Sequence, residues 1–301
     1  MQTSLEDLLG SGNPVLADGA MGTLLFELGL QHGDPPERWN LEHPDRVQQV
    51  HQDYIDAGAQ IVLTNSFGAN RILLGRYSLD DQAEQINLIA AQLARAAADT
   101  APDPVVVGGS IGPTGVMMEP LGELTHEAAL ATFEEQAGAL VQGGVDVFWV
   151  ETMYDIEEVR AAVQGCRNVA PDLPVVATMT FDTAGHTMMG VSPETAAEAL
   201  MEMDVIALGG NCGNGPEEIH GVIRAMHGSQ PDLVLTAKSN AGVPHLVDGV
   251  TTYDATPEHM AEYALQAIKE GAQIIGGCCG STPAHIRAMA EAMQREAPHS
   301  A

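Results

Sequence analysis

Short continuous apolar runs alternate along the chain with longer segments of helical pattern, eight times over. The runs fall in 14–20, 59–66, 104–112, 146–153, 174–181, 204–212, 232–240 and 272–279. Their centres, such as Ile61-Val62-Leu63, Val105-Val106-Val107 and Val147-Phe148-Trp149-Val150, are hydrophobic without alternation, as strands buried on both faces of a parallel sheet require. Helices are expected over 44–57, 79–98, 125–142, 156–169, 192–201, 216–226, 256–270 and 283–297. Ser192-Pro193, Thr256-Pro257 and Thr282-Pro283 each set a hydroxyl at the cap and proline at the first helical position.

Eight strand and helix pairs predict an α/β fold, a single (β/α)8 TIM barrel spanning 1–301. Such barrels carry their chemistry at the C-terminal ends of the strands. Polar residues cluster where those ends fall: Asp18, Thr64-Asn65, Ser110, Glu151-Thr152, Thr180, Asn211-Cys212, Ser239-Asn240 and Cys278-Cys279. An open doubly wound sheet is the alternative, but it does not require every strand to end in a polar group.

Twelve Lys and Arg against 41 Asp and Glu give a formal net charge of -29. A surface of that sign repels phosphate backbones and anionic membranes, so neither nucleic acid nor a membrane is an expected partner, and it favours a cationic over an anionic substrate. No apolar run reaches the length of a membrane span, and Met1-Gln2-Thr3-Ser4-Leu5-Glu6-Asp7 lacks the basic and apolar regions of a signal peptide. A cytoplasmic location is expected. Of the eleven histidines, His32, His43, His51 and His299 look like ordinary surface or loop residues, and the methionines, including Met117-Met118 and Met188-Met189, look like packing.

Four cysteines in 301 residues are too few for a disulfide framework. Cys166 lies in a helical stretch and reads as core. The other three end apolar runs beside glycines: Cys212 in Gly209-Gly210-Asn211-Cys212-Gly213, and Cys278 and Cys279 in Gly276-Gly277-Cys278-Cys279-Gly280. Two strand ends built alike suggest three thiolates on one metal, and a catalytic zinc keeps its fourth position open. A buried inert trio or a closed structural site is the competing reading.

These motifs, with Asp18-Gly19-Ala20-Met21-Gly22-Thr23, Thr64 to Asn70, Ser110-Ile111-Gly112-Pro113, Glu151-Thr152 and Asn240-Ala241-Gly242-Val243-Pro244, resemble the homocysteine S-methyltransferase family over essentially the whole chain. The resemblance implies Zn2+ held by Cys212, Cys278 and Cys279, with Asn240 as a candidate for the fourth position in the absence of substrate. It implies methyl transfer to zinc-bound homocysteine thiolate, forming methionine. It also implies substrate-binding roles for Asp18, Gly19, Asn65, Ser110 and Glu151, with Glu151 on the ammonium group. An ion pair in the barrel mouth is the alternative for the two acids, and a turn residue the alternative for Asn240.

The methyl donor stays open between a small onium compound such as glycine betaine, with Trp39 and Tyr154 as candidates for a cation–π box, and a methylcorrinoid on a separate protein. A barrel that merely binds zinc or thiols is the non-enzymatic alternative.

Overall fold

The computed structural model describes residues 3–31, 33–247 and 250–296. His32, His299 and Ala297, the expected end of the last helix, lie outside them. Eight parallel strands form the barrel: β1 Val15–Leu16, β2 Ile61–Leu63, β3 Val106–Ile111, β4 Val147–Met153, β5 Val175–Met179, β6 Ala207–Cys212, β7 Leu235–Ser239 and β8 Ala272–Gly277. The ladder runs β1-β8-β7-β6-β5-β4-β3-β2. Outside them lie α1 Pro44–Asp56, α2 Ala83–Ala98, α3 His126–Gly143, α4 Ile156–Val169, α5 Pro193–Glu202, α6 Pro216–Ser229, α7 Pro257–Lys269 and α8 Pro283–Glu296. Ser192 and Thr256 cap α5 and α7 through their side chains, each followed by proline in the first turn.

The strands bury two different faces. Val15, Ala17, Ile61, Leu63, Val106, Val147, Trp149, Val176, Ala207 and Ile274 pack together inside the barrel. Their neighbours in the chain, Leu16, Val62, Val107, Phe148, Val175, Leu208 and Ile275, join the helices in the outer core. Apolar side chains on both faces are why the runs show no alternation. A short unanticipated helix, Leu5–Gly10, adds Leu5 to the inner cluster as a plug. Gly108 leaves room beside Trp149, since a Cβ there would lie 2.6 Å from a Leu63 methyl and 3.5 Å from the Trp149 ring.

The first two strands are shorter than the runs predict. Between them the ladder shrinks to a single bridge, Ala17 to Ile61, and side chains complete the seam. Gln60 Oε1 accepts from the Leu16 N–H at 3.1 Å, and Asp18 Oδ2 accepts from the Leu63 N–H at 2.7 Å. A buried N–H left unpaired costs about 1–3 kcal/mol, so these two side chains hold the barrel shut where backbone pairing stops.

Three expectations about single side chains need correction. His51 is fully buried in α1 because it shares a helical face with Val47, Val50 and Tyr54. Met117 and Met188 are exposed on loops at the mouth, although Met118 is buried. Trp39 is buried and its ring face is taken by the Arg46 guanidinium, 5.0 Å from the ring centre. Cys166 is fully buried in α4, where burial pushes its thiol far above the usual range. Among the described residues no helix is long and apolar enough to cross a membrane.

Candidate metal centre and substrate mouth

Strand β7 lies between β6 and β8, and Ser239 at its end is in register with Cys212 on one side and Gly277 on the other. The Cys278 N–H donates to the Ser239 carbonyl at 2.7 Å. This register brings together cysteines 66 and 67 positions apart: Cys212 Sγ is 2.9 Å from Cys278 Sγ and 3.7 Å from Cys279 Sγ. All three sulfurs lie within 4.8 Å of one another. Thiolates at about 2.3 Å around a tetrahedral zinc stand about 3.8 Å apart, so the triangle is of the right size for one metal.

The backbone bends sharply here. Cys212 has φ 63° and Thr152, at the end of β4, has φ 60°, in the left-handed region that non-glycine residues adopt at a cost. Asn211 holds both in place. Its Oδ1 accepts from the Thr152 N–H at 2.8 Å and the Thr178 hydroxyl at 2.7 Å, and its Nδ2 donates to Thr152 Oγ1 at 2.7 Å and reaches Cys278 Sγ at 3.8 Å.

Crowded sulfurs separate in acidity. Hydrogen bonds from Cys212, Cys278 and, after burial is set against them, the Tyr253 hydroxyl hold Cys279 well below the usual thiol range. Cys212 is raised well above it by its contacts with Cys278 and Cys279 and by burial. Cys278 is drawn down by its contact with Cys212, but Cys279 and burial push it up to about 12. The ring of Tyr253 rests on Gly280, where a Cβ would come within 2.3 Å of it. Three thiols competing for one thiolate's charge form a donor set that a divalent cation would relieve. Asn240 fits the same role: its Nδ2 donates to the Gly213 carbonyl at 2.7 Å, while its buried Oδ1 has no partner. The left-handed residue of that turn is Gly242, φ 97°.

Two carboxylates share the mouth. Ser110 Oγ donates to Glu151 Oε1 at 2.5 Å, and burial pushes Glu151 up to about 7 against the pull of Lys238. Asp18 faces Lys238, whose Nζ lies 2.8 Å from its Oδ1. Burial would lower the lysine, yet Asp18 and Glu151 more than offset it and hold Lys238 above its ordinary range.

Gly19 is pressed against the β8 loop, where a Cβ would lie 2.6 Å from Ser281 Oγ. Asn65 gives its amide to the Pro36 carbonyl and Asn40 Oδ1, both at 2.9 Å, and so braces the 36–42 segment. The structure thus brings Cys212, Cys278, Cys279, Asp18, Ser110, Glu151 and Asn240 to one end of the barrel and turns the Asn65 amide toward the 36–42 segment that follows β1. Lys238 belongs to none of the sequence motifs, but the chain has two lysines and this one sits inside an apolar strand.

Comparison with known proteins agrees with this geometry. Residues 15–293 match the family model described as homocysteine S-methyltransferase. The chain is 34% identical over 307 aligned positions to a methionine synthase of Mycobacterium tuberculosis, covering 97% of this chain and 25% of the relative, and 33% identical to that of Mycobacterium leprae, covering 93% and 24%. The chain thus spans about a quarter of the length of these relatives. Crystal structures of the homocysteine methyltransferase MmuM from Escherichia coli superpose on it in a metallated form, with TM-score 0.81 and 27% identity over 95% of this chain and 99% of that one. The oxidized form gives 0.80 and 28% over 96% and 99%.

Proposed function

The chain belongs to the homocysteine S-methyltransferase family, and we propose that it transfers a methyl group from a small onium donor, glycine betaine or a similar compound, to the thiolate of homocysteine, forming methionine with the help of zinc. The observation that carries this reading is the convergence of three sulfurs within 4.8 Å beside a mouth carboxylate. Cys212, Cys278 and Cys279 would hold the metal, with the orphaned Asn240 Oδ1 as a further oxygen donor. Zinc bound by thiolates supplies deprotonation of the substrate thiol while leaving the sulfur nucleophilic.

The chain's own side chains do the rest. Glu151, steadied by Ser110, receives the substrate ammonium. Asn211 fixes the two strained strand ends, so the sulfurs do not need to reorganise. The mouth carries two carboxylates and three thiols against one lysine, a balance that favours a cationic donor. The leaving nitrogen or sulfur of an onium donor also becomes uncharged as its bond to the methyl group breaks, so its departure needs no general acid.

A second reading has its own support. The methionine synthase relatives extend well beyond the quarter that this chain matches, and Phe67, Met117 and Met188 lie exposed on loops after β2, β3 and β5. Both features suit a bulky methylcorrinoid presented by another protein. Supplying homocysteine with betaine, dimethylsulfoniopropionate, S-methylmethionine or methylcobalamin in parallel, and following methionine, separates the two. The proposal expects activity with an onium donor and its loss in Cys212→Ala; methylcobalamin as the sole productive donor favours the second reading.

A further inference from the structure

We infer that Glu218, on a helix outside the barrel, is a positioning residue for the metal centre: it fixes the turn after Cys212 and so holds the Asn240 amide with its oxygen free as a fourth donor. The inference rests on the reading above that Cys212, Cys278 and Cys279 hold one divalent metal.

The turn Gly213-Asn214-Gly215 joins β6 to α6, and three of the four residues from 212 to 215 have positive φ: Cys212 at 63°, Gly213 at 69° and Gly215 at 103°. Such a backbone needs to be held. Gly215 caps α6 and has no side chain to offer its first turn. Glu218, in that first turn, reaches back instead: its Oε1 accepts from the Asn214 N–H at 2.8 Å and its Oε2 from Asn214 Nδ2 at 2.9 Å. The same Nδ2 reaches the Asp182 carbonyl at 2.9 Å, which ties the turn to the loop after β5. A Cβ on Gly213 would lie 2.1 Å from Glu218 Oε1. The glycine beside Cys212 therefore makes room for a carboxylate that comes from α6.

What this turn holds in place is Asn240. The Gly213 carbonyl accepts from Asn240 Nδ2 at 2.7 Å, and because a carbonyl can only accept, this bond decides which end of the amide is which. Oδ1 is left over, buried and without a partner. An orphaned buried oxygen costs about 1–3 kcal/mol, which a bound cation would recover. Asn240 is also bracketed by the cysteine pair, since the Cys278 N–H donates to the Ser239 carbonyl at 2.7 Å and the Ala241 N–H donates to the Cys279 carbonyl at 2.9 Å. The free oxygen thus belongs to a residue flanked by bonds to Cys278 and Cys279 and gripped from a third side by the turn after Cys212. Release of that turn would let the Gly213 carbonyl swing away and the amide rotate.

Co2+ titration of the reduced, metal-free protein tests this, with affinity read by chelator competition and sulfur ligation by thiolate-to-cobalt charge-transfer absorption. Glu218→Ala is expected to weaken Co2+ binding by about tenfold or more, with the absorption per bound metal unchanged because all three sulfurs remain. Asn240→Ala is expected to weaken it by a similar factor, and adding Glu218→Ala to that variant to cost less than about threefold more. Parent-like affinity in Glu218→Ala, equal losses in both backgrounds, or a weaker charge-transfer band overturns the inference; in the last two cases the turn acts on Cys212 and not through Asn240. If Glu218→Ala fails to fold, Asn214→Asp, which sets a like charge against Glu218 at an exposed position, takes its place with the same expectations. A parent that binds no Co2+ overturns the reading of the metal centre, and the inference with it.

Discussion

Asn211 grips Thr152 from both sides, accepting from its N–H at 2.8 Å and donating to its hydroxyl at 2.7 Å. One amide thereby ties the end of β4 to the end of β6, next to Cys212. Asn211→Ala would leave a buried N–H and the Thr178 hydroxyl without their partner, at a cost of about 2–4 kcal/mol in chemical denaturation. It would also remove the contact with Cys278 and weaken zinc binding by about 10–100-fold in a competitive chelator titration. Parent-like values in both measurements would show that the strained strand ends hold themselves.

Glu151 gives a pH signature. Its carboxyl is pushed up to about 7 from 4.5 by burial, so the stabilisation it lends the empty protein is present below pH 4.5 and fades as the pH rises through 7. Binding an ammonium needs the carboxylate. Affinity for methionine, whose sulfur carries no proton, should therefore rise toward pH 7 and level off above it in calorimetric titration, and Glu151→Gln should bind more weakly with a flat profile. A sloping profile in the variant would place the titrating group elsewhere.

His51 is buried with neither ring nitrogen hydrogen-bonded, and burial holds it down to about 4 from 6.5. The unfolded chain takes up a proton near pH 6.5 that the folded chain refuses until about 4. Stability present above pH 6.5 is lost as the pH falls through that window, at about 1.4 kcal/mol per unit and about 3 kcal/mol in all. In His51→Leu, urea unfolding from pH 7 to 4 should lose less stability than the parent by about that amount. Parallel curves would mean that His51 is protonated alike in both states.

Gly209 is the tightest point inside the barrel, its would-be Cβ 2.0 Å from a backbone oxygen. Gly209→Ala should destabilise by more than about 3 kcal/mol, since the Thr236 backbone on the neighbouring strand β7 must move. A thermal midpoint equal to the parent's would contradict the barrel interior described above.

The sequence was most readable where physics repeats. Buried parallel strands make unbroken apolar runs, and eight of them were visible with the cysteines at their ends. It was least readable where side chains replace backbone. The run at 14–20 folds into only Val15–Leu16 as strand, because Asp18 and Gln60 supply the remaining seam bonds. By its chemistry His51 reads as a surface residue, although its spacing from Val47 and Tyr54 places it on the buried face of α1. Lys238 escaped because a lysine within a strand carries no motif, and its partner stands 220 positions away. Asn65 ends a strand as the other mouth residues do, but which way its amide turns depends on Pro36 and Asn40, and strand periodicity says nothing about that.

X-ray absorption at the zinc edge of the purified protein, before and after adding homocysteine, tests the central claim most directly. The account predicts three sulfurs at about 2.3 Å with one lighter ligand, becoming four sulfurs when homocysteine is added. A sulfur count that does not change with homocysteine, or a protein that binds no zinc through Cys212, Cys278 and Cys279, would contradict it.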